Sequence, residues 1–311
     1  MKKLIIVTVV IMLASCATVK QKSAPAEGGA ALAAGNNSVQ LAEGSAARSE
    51  PNPSAPDLQD DQDHLILATL WYQKSAEMRA LYYQCFRNAE TALRENLTLQ
   101  VGRMPAADSP ATKDTATAED KKPAAVVLDI DETMLDNSPF QGWQVLEKKS
   151  FNNEDWYRWV ELARAMPLPG AVQFTRFADS LGVEVFYVSN RTVQEMGPTI
   201  ENMAEYGFVN PDSTHLLLKQ TTSSKVERRA QIEKNFDIIL LVGDNLADLS
   251  ETYEKRGPDY GFEAVDADRR LFGTKYIVLP NPMYGNWLND LIRTTPGSTE
   301  REKLIRLLNT F

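Results

Sequence analysis

Short apolar runs and helix-spaced stretches alternate through the second half of the chain. Ala125–Ile130, Glu184–Ser189, His215–Leu218, Ile238–Gly243 and Lys275–Leu279 read as strands. Amphipathic patterns fill the gaps at Glu154–Ala165, Ala171–Ser180, Thr192–Tyr206, Ser224–Asn235 and Leu246–Arg256. Apolar strands between amphipathic helices predict an α/β fold, with a parallel sheet covered on both faces. Such sheets bind ligands at the carboxyl ends of their strands.

The first half reads differently. From about Asp60 to Leu99, residues such as Leu65, Leu70, Met78, Tyr82, Cys85 and Phe86 recur at three- and four-residue spacing. That pattern predicts one long helix or a helical pair. Residues 103–122 are rich in Pro, Ala, Thr, Asp and Lys and predict an exposed loop. Residues 17–56 hold few large apolar side chains, so they cannot bury enough surface to offset ordering entropy. We read 16–59 as a flexible tether and 60–311 as the folded domain.

Ahead of the tether, Met1-Lys2-Lys3 and the apolar run Leu4–Leu13 predict a signal peptide over 1–15; the run is too short to span a bilayer. Leu13-Ala14-Ser15-Cys16 resembles the bacterial lipobox, which makes Cys16 the expected lipidation site and membrane anchor. With Cys16 lipidated, Cys85 has no disulfide partner and is expected in the core.

Composition narrows the partners. The 311 residues are 43% hydrophobic, enough for one good-sized core. A net charge of −9 argues against a nucleic-acid polymer as partner, which would call for a basic footprint.

The chemistry sits where the strands end. Val126-Val127-Leu128 runs into Asp129 and Asp131, and period-2 geometry puts those two on the same side of the chain. The second strand ends in Ser189-Asn190-Arg191, and Lys219 and Lys225 follow the third. The fourth closes in Gly243-Asp244-Asn245-Leu246-Ala247-Asp248. Several carboxylates share a space only if a cation offsets their repulsion, and Mg²⁺ prefers such oxygen ligands. An Asp can attack phosphorus, a second carboxyl can move the proton, and Ser and Lys can hold phosphoryl oxygens. A calcium loop is excluded, because Met134 occupies the position that needs Gly. Helix capping accounts for Glu132 and in part for Asp248, but not for Asp129 at the end of an apolar run.

Asp129-x-Asp131-Glu132-Thr133 together with Gly243-Asp244-Asn245-Leu246-x-Asp248 resembles the haloacid dehalogenase (HAD) superfamily. More narrowly, it resembles the class C "DDDD" acid phosphatases, many of them bacterial outer-membrane lipoproteins. Gly142-Trp143-Gln144, Phe186-Tyr187-Val188-Ser189-Asn190-Arg191 and Leu279-Pro280-Asn281 with Tyr284-Gly285 extend the likeness over most of the chain. The resemblance implies an HAD-like three-layer core with an additional helical region. It implies Asp129 as nucleophile and Asp131 as general acid and base, with Mg²⁺ on Asp129, Asp131 (through its backbone carbonyl) and Asp244, steadied by Asp248. Ser189, Asn190 and Lys225 would hold the phosphoryl group; Lys225 is preferred over Lys219 because it starts a helix. Trp156 and Tyr284 would stack the base of a nucleoside monophosphate, although the run Trp156-Tyr157-Arg158-Trp159 equally suits a core-facing helix. The resemblance further implies small phosphomonoesters as substrates and an envelope location, lipid-anchored at the outer membrane and facing the periplasm or the cell surface. A homodimer stays open. Two other readings remain at this point: phosphotransfer to alcohols through the same intermediate, and a non-catalytic surface-binding lipoprotein.

Overall fold

A computed structural model describes residues 62–102 and 122–311. The signal peptide, Cys16, the tether and nearly all of the 103–122 loop lie outside the described residues. Five strands form one parallel sheet: β1 (Ala124–Leu128), β4 (Glu184–Thr192), β5 (Leu216–Lys219), β6 (Asp237–Gly243) and β7 (Tyr276–Val278), in the order β5-β4-β1-β6-β7. All five are the strands that the apolar runs predict. A separate two-residue ladder pairs β2 (Leu135–Asp136) antiparallel with β3 (Met166–Pro167).

β1 is central, and all of its residues are buried. Its side chains alternate between faces, as a strand requires. Val126 and Leu128 join one apolar cluster with Tyr82, Phe86 and Phe174. Ala125 and Val127 join the other with Phe186, Ile232 and Leu249. The first face is covered by α2 (Ala76–Gly102) and α5 (Ala171–Ser180), the second by α7 (Val226–Glu233). Helices on both faces of a parallel sheet make the expected three-layer α/β core.

Chain order places the site. From β1 the sheet grows outward through β4 and β5, and the chain then crosses to β6 and β7 on β1's other side. Strand order therefore reverses at β1, and a crevice opens at the carboxyl ends around such a switch point.

The N-terminal helical stretch is a pair, α1 (Ile66–Lys74) and α2, broken at Ser75, which is extended at ψ 140. Further helices are α3 (Ser138–Glu147), α4 (Asn153–Glu161), α6 (Met196–Glu205), α8 (Phe262–Ala267), α9 (Asn286–Thr294) and α10 (Glu300–Arg306). One expectation fails: Leu246–Arg256 is not a helix but two 3₁₀ turns, Leu246–Asp248 and Glu251–Tyr253. Asn245 accepts from the Ala247 N–H and Ser250 from the Thr252 N–H, so each starts a fresh turn. The strand through Ser189 also runs three residues past its expected end, to Thr192.

Phe174 is fully buried and its ring lies 5.7 Å from that of Phe86, between α5 and α2. Phe174→Ala is expected to cost about 3–5 kcal/mol of stability. Chemical denaturation of both proteins reads this as a lowered midpoint; a change under about 1 kcal/mol would remove α2 from the core.

Candidate active site

Asp129 stands one residue past β1, its backbone N–H donating to the Val242 carbonyl at 2.9 Å. The sheet thus holds the backbone rigid up to the first carboxylate. Beyond it the chain turns sharply, with Glu132 at φ 57 and the Met134 and Leu135 amides both donating to the Ile130 carbonyl. Glu132 is wholly buried and accepts from the Asn137 N–H at 2.7 Å, at the start of α3. It caps, as its sequence position allows. Burial, with Asp131 and Asp244 adding to it, holds its carboxyl well above the usual range.

Asp129, Asp244 and Asp248 offer oxygens that all lie within 4.8 Å of one another. The Lys225 ammonium contacts Asp129 directly and Asp248 at 2.7 Å. Lys225 is only 3% exposed. Burial would lower its pKa, but the two carboxylates outweigh that and leave it raised. Asp244 takes hydrogen bonds from Asn281 Nδ2 at 2.8 Å and Thr133 Oγ1 at 3.3 Å. Burial and the neighbouring Asp248 and Asp129 push its carboxyl well up. Burial likewise pushes Asp129 up to about 7, against the pull of Lys225.

Asp248 does two things at once. Its Oδ2 accepts from the Asn245 N–H at 3.0 Å, completing a capping box, while Oδ1 faces Lys225. Its carboxylate also offers an oxygen within 4.8 Å of one on each of the other two. Gly243 makes this possible, since a Cβ there would lie 2.5 Å from Asp248 Oδ2 and 2.6 Å from its Cβ.

Asp131 is held apart from that trio. Its Oδ1 accepts from Arg191 Nε at 2.9 Å and Asn137 Nδ2 at 2.8 Å, and its Oδ2 from Ser189 Oγ at 3.3 Å. Arg191 also donates to Thr199 Oγ1 at 3.0 Å and lies beneath the Trp156 ring, 5.8 Å from its centroid. Asn190 accepts from Arg228 Nη2 at 2.8 Å. The same guanidinium reaches the carbonyls of Ser189 at 2.5 Å and Ser224 at 3.0 Å. Arg228 so ties the end of β4 to the loop that carries Lys225.

A cleft of about 650 Å³ joins these groups. Asp129, Asp131, Asn190, Asp244 and Asp248 line it, as do Trp156 and Tyr284. Ser189 and Lys225 sit behind that surface, and Lys219 lines it without an ion pair among the described residues. Trp156 packs edge-on against Phe140 at 5.2 Å and 6.1 Å from Phe151. Thus it both packs on other aromatics and borders the cleft. Sequence reading did not assign roles to Arg191, Arg228 and Asn281. Arg191 stood in view beside Ser189-Asn190 and Asn281 within Leu279-Pro280-Asn281, whereas nothing local marks Arg228.

The donor set suits a hard divalent cation: three carboxylates within reach of one point, with oxygen ligands only. The sign of its pH dependence follows from Asp129. A carboxyl whose folded pKa exceeds its unfolded value of about 3.9 stabilises the fold when protonated, and loses that contribution as pH rises towards 7. Cation binding needs the deprotonated form. Any rise in melting temperature induced by a divalent cation should therefore be larger at about pH 7.5 than at about pH 5, read by thermal unfolding with and without chelator. An equal rise at both would place the ion elsewhere. Gly243→Ala should displace Asp248 and diminish that cation-induced rise; an undiminished rise would show that Asp248 is not needed for the ion.

The family described as HAD superfamily, subfamily IIIB (Acid phosphatase) matches residues 72–287. The class C acid phosphatase of Bacillus anthracis superposes with a TM-score of 0.69 at 34% identity, covering 80% of this chain and 98% of that one. A structure of the class C acid phosphatase from Bacillus anthracis with tungstate bound gives 0.68 at 32%, with the same coverage. Acid phosphatase 1 of Solanum lycopersicum is 30% identical over 166 residues, which is 51% of this chain and 57% of the relative. A stem 31 kDa glycoprotein of Glycine max is 26% identical over 164 residues, 51% of this chain and 58% of its own. The chain thus spans little more than half the length of these curated relatives. The matched residues run from the N-terminal helices past the last strand and take in every aspartate of the cleft, so the chain belongs to the subfamily IIIB acid phosphatases of the HAD superfamily.

Proposed function

We propose that this chain hydrolyses phosphomonoesters through an aspartyl-phosphate on Asp129, with Mg²⁺ as its ion and nucleoside 5′-monophosphates among its substrates. The observation that carries the reading is the setting of Asp129: a carboxylate at the switch point of the sheet, paired with Lys225 and facing Asp244 and Asp248. Asp129, Asp244 and Asp248, with the Asp131 backbone, are the groups to hold the ion. A bound Mg²⁺ would offset carboxylate and phosphoryl charge.

An Asp129 oxygen attacks phosphorus as the bond to the leaving oxygen breaks. Asp131 gives that oxygen its proton. Asp131 then takes a proton from water as it attacks the same phosphorus, which frees phosphate and restores Asp129. The Ser189 contact at 3.3 Å is the one to yield when Asp131 turns to the substrate, since Arg191 holds the other oxygen. In this reading Lys225, which contacts Asp129, and Ser189 are the donors for a phosphoryl group on Asp129. The Bacillus anthracis relative with tungstate bound supports an oxyanion as ligand, since tungstate is tetrahedral like phosphate.

Trp156 and Tyr284 border the cleft and offer π-faces to a base, which stacking accepts without regard to sequence. The envelope location, with a lipid on Cys16, belongs to this proposal and rests on the first sixteen residues alone.

Asp129→Asn is expected to abolish phosphate release from every substrate while the melting curve stays cooperative. Chelation should abolish it in the unaltered enzyme and Mg²⁺ restore it. Turnover by the Asn variant, or turnover indifferent to chelator, would defeat the proposed reaction.

A further inference from the structure

The two buried asparagines among the described residues are fully engaged. Asn137 reaches Asp131, Trp159 and Arg191; Asn202 exchanges two hydrogen bonds with the Ala165 backbone. Gln141 departs from that pattern. It is 5% exposed, on the inner face of α3, and its side chain has no hydrogen-bond partner among the described residues. Its open side is the cleft, which it lines with Gln144 one turn on. Gln144, 3% exposed, spends its Nε2 on the Lys149 carbonyl at 3.4 Å. Its oxygen has no partner among the described residues.

The Gln141 amide is not among the sealed, unpaired polar groups of the described residues, so it faces the cleft rather than the core. No hydrogen bond within the described fold uses it, so an amide at this place calls for another reason. The reason is available in what the cleft holds. Gln141 follows Phe140, whose ring packs edge-on against Trp156 at 5.2 Å. Gln141 lines the same cleft as Trp156 and Phe151, on the helix whose Phe140 helps fix that aromatic wall. An uncharged donor beside an acceptor matches a neutral edge that offers the same pair in reverse.

We propose that Gln141 is a specificity-determining residue, which hydrogen-bonds a neutral donor–acceptor edge on the leaving group. The inference rests on the phosphomonoesterase reading above and adds to it a polar contact separate from stacking. A base edge and a sugar's neighbouring hydroxyls both present that chemistry. A plain phenyl or alkyl leaving group presents none, and it would leave the amide unpaired once it displaces the cleft's water. Sites built to hydrogen-bond a substrate discriminate most strongly against analogues that lack the group.

The test compares kcat/KM for adenosine 5′-monophosphate, ribose 5-phosphate and phenyl phosphate in the unaltered enzyme, Gln141→Met and Gln141→Glu. Met keeps the volume and Glu keeps the shape without the donor, so if one variant fails to fold the other decides. The ratio of nucleotide to phenyl phosphate should fall about tenfold in each variant. If the ratio of ribose 5-phosphate to phenyl phosphate falls with it, the sugar hydroxyls are the partner; if only the nucleotide ratio falls, it is the base edge. Inhibition by adenosine, the dephosphorylated product, should weaken by a similar factor. Ratios and adenosine inhibition that do not move would overturn the proposal. Should the unaltered enzyme release no phosphate from any of the three, the function proposed above fails instead. Calorimetric binding of adenosine to the same variants would then still decide the role of Gln141.

Discussion

Three carboxylates meeting in a buried place is the constraint that the rest of this structure answers. At roughly 5 Å, two such charges repel by about 3 kcal/mol if the effective dielectric is near 20. No single partner offsets that for Asp129, Asp244 and Asp248. Lys225 lies between two of them, Thr133 and Asn281 hold the third, and the Asn245 amide takes the remaining oxygen of Asp248. The partners come from the loop after β1, the approach to α7, the turn after β6 and the loop after β7. A parallel sheet with all its carboxyl ends on one side is what brings these four segments together. The price of their convergence is visible in the carboxyls of Asp129 and Asp244, both pushed up by burial.

The same logic explains the N-terminal helices, which could pass for an accessory layer. Tyr82 on α2 is fully buried; its hydroxyl donates to the Glu132 carbonyl at 2.5 Å and lies 3.4 Å from that of Pro280. Glu132 belongs to the turn that follows Asp129 and Asp131, and Pro280 precedes the Asn281 that holds Asp244. One hydroxyl therefore touches both loops whose side chains surround the carboxylates. Gln73, at the end of α1, donates to the Ser138 carbonyl at 2.9 Å and fixes the start of α3. A core built from β1 and its neighbours alone would leave these loops free to move apart under their own charge.

Much of this was legible in the sequence, and the parts that were not share a cause. Every strand of the main sheet follows from an apolar run, because burial on both faces leaves no room for polar residues. The Asp motifs were legible for the complementary reason: Val126-Val127-Leu128 has no business ending in carboxylates unless something uses them. Leu246–Arg256 misled because its apolar spacing is genuine, while Asn245 and Ser250 cap new turns by side-chain bonds that periodicity does not register. The β2–β3 ladder is two residues long, below what any alternation can reveal. Arg228 carries no local mark at all, and the string Leu279-Pro280-Asn281 marks Asn281 without saying what it holds. Each acts on a residue far away in sequence, and only the sheet order places them beside it.

Among the described residues, Arg191 and Lys225 are the cations paired with the cleft's aspartates, and their chemistry differs as their proposed tasks would require. Arg191 grips Asp131 with a planar fork, Nε at 2.9 Å and Nη2 at 2.8 Å to one oxygen, and is itself tethered through Thr199. Under the proposed reaction, a rigid guanidinium suits a carboxyl that keeps one oxygen anchored while a proton comes and goes on the other. Lys225 instead offers a compact ammonium on a flexible stem, shared between Asp129 and Asp248. Under the proposed reaction Asp129 changes from free carboxylate to acyl phosphate and back, so its partner must follow charge from carboxylate to phosphoryl oxygen. A point charge that already contacts two anions can make that shift without losing both contacts, since Asp248 stays where the capping box holds it. Exchanging the two cations would reverse the arrangement: a fork would fix the group that reacts, and a mobile ammonium would loosen the group that must stay.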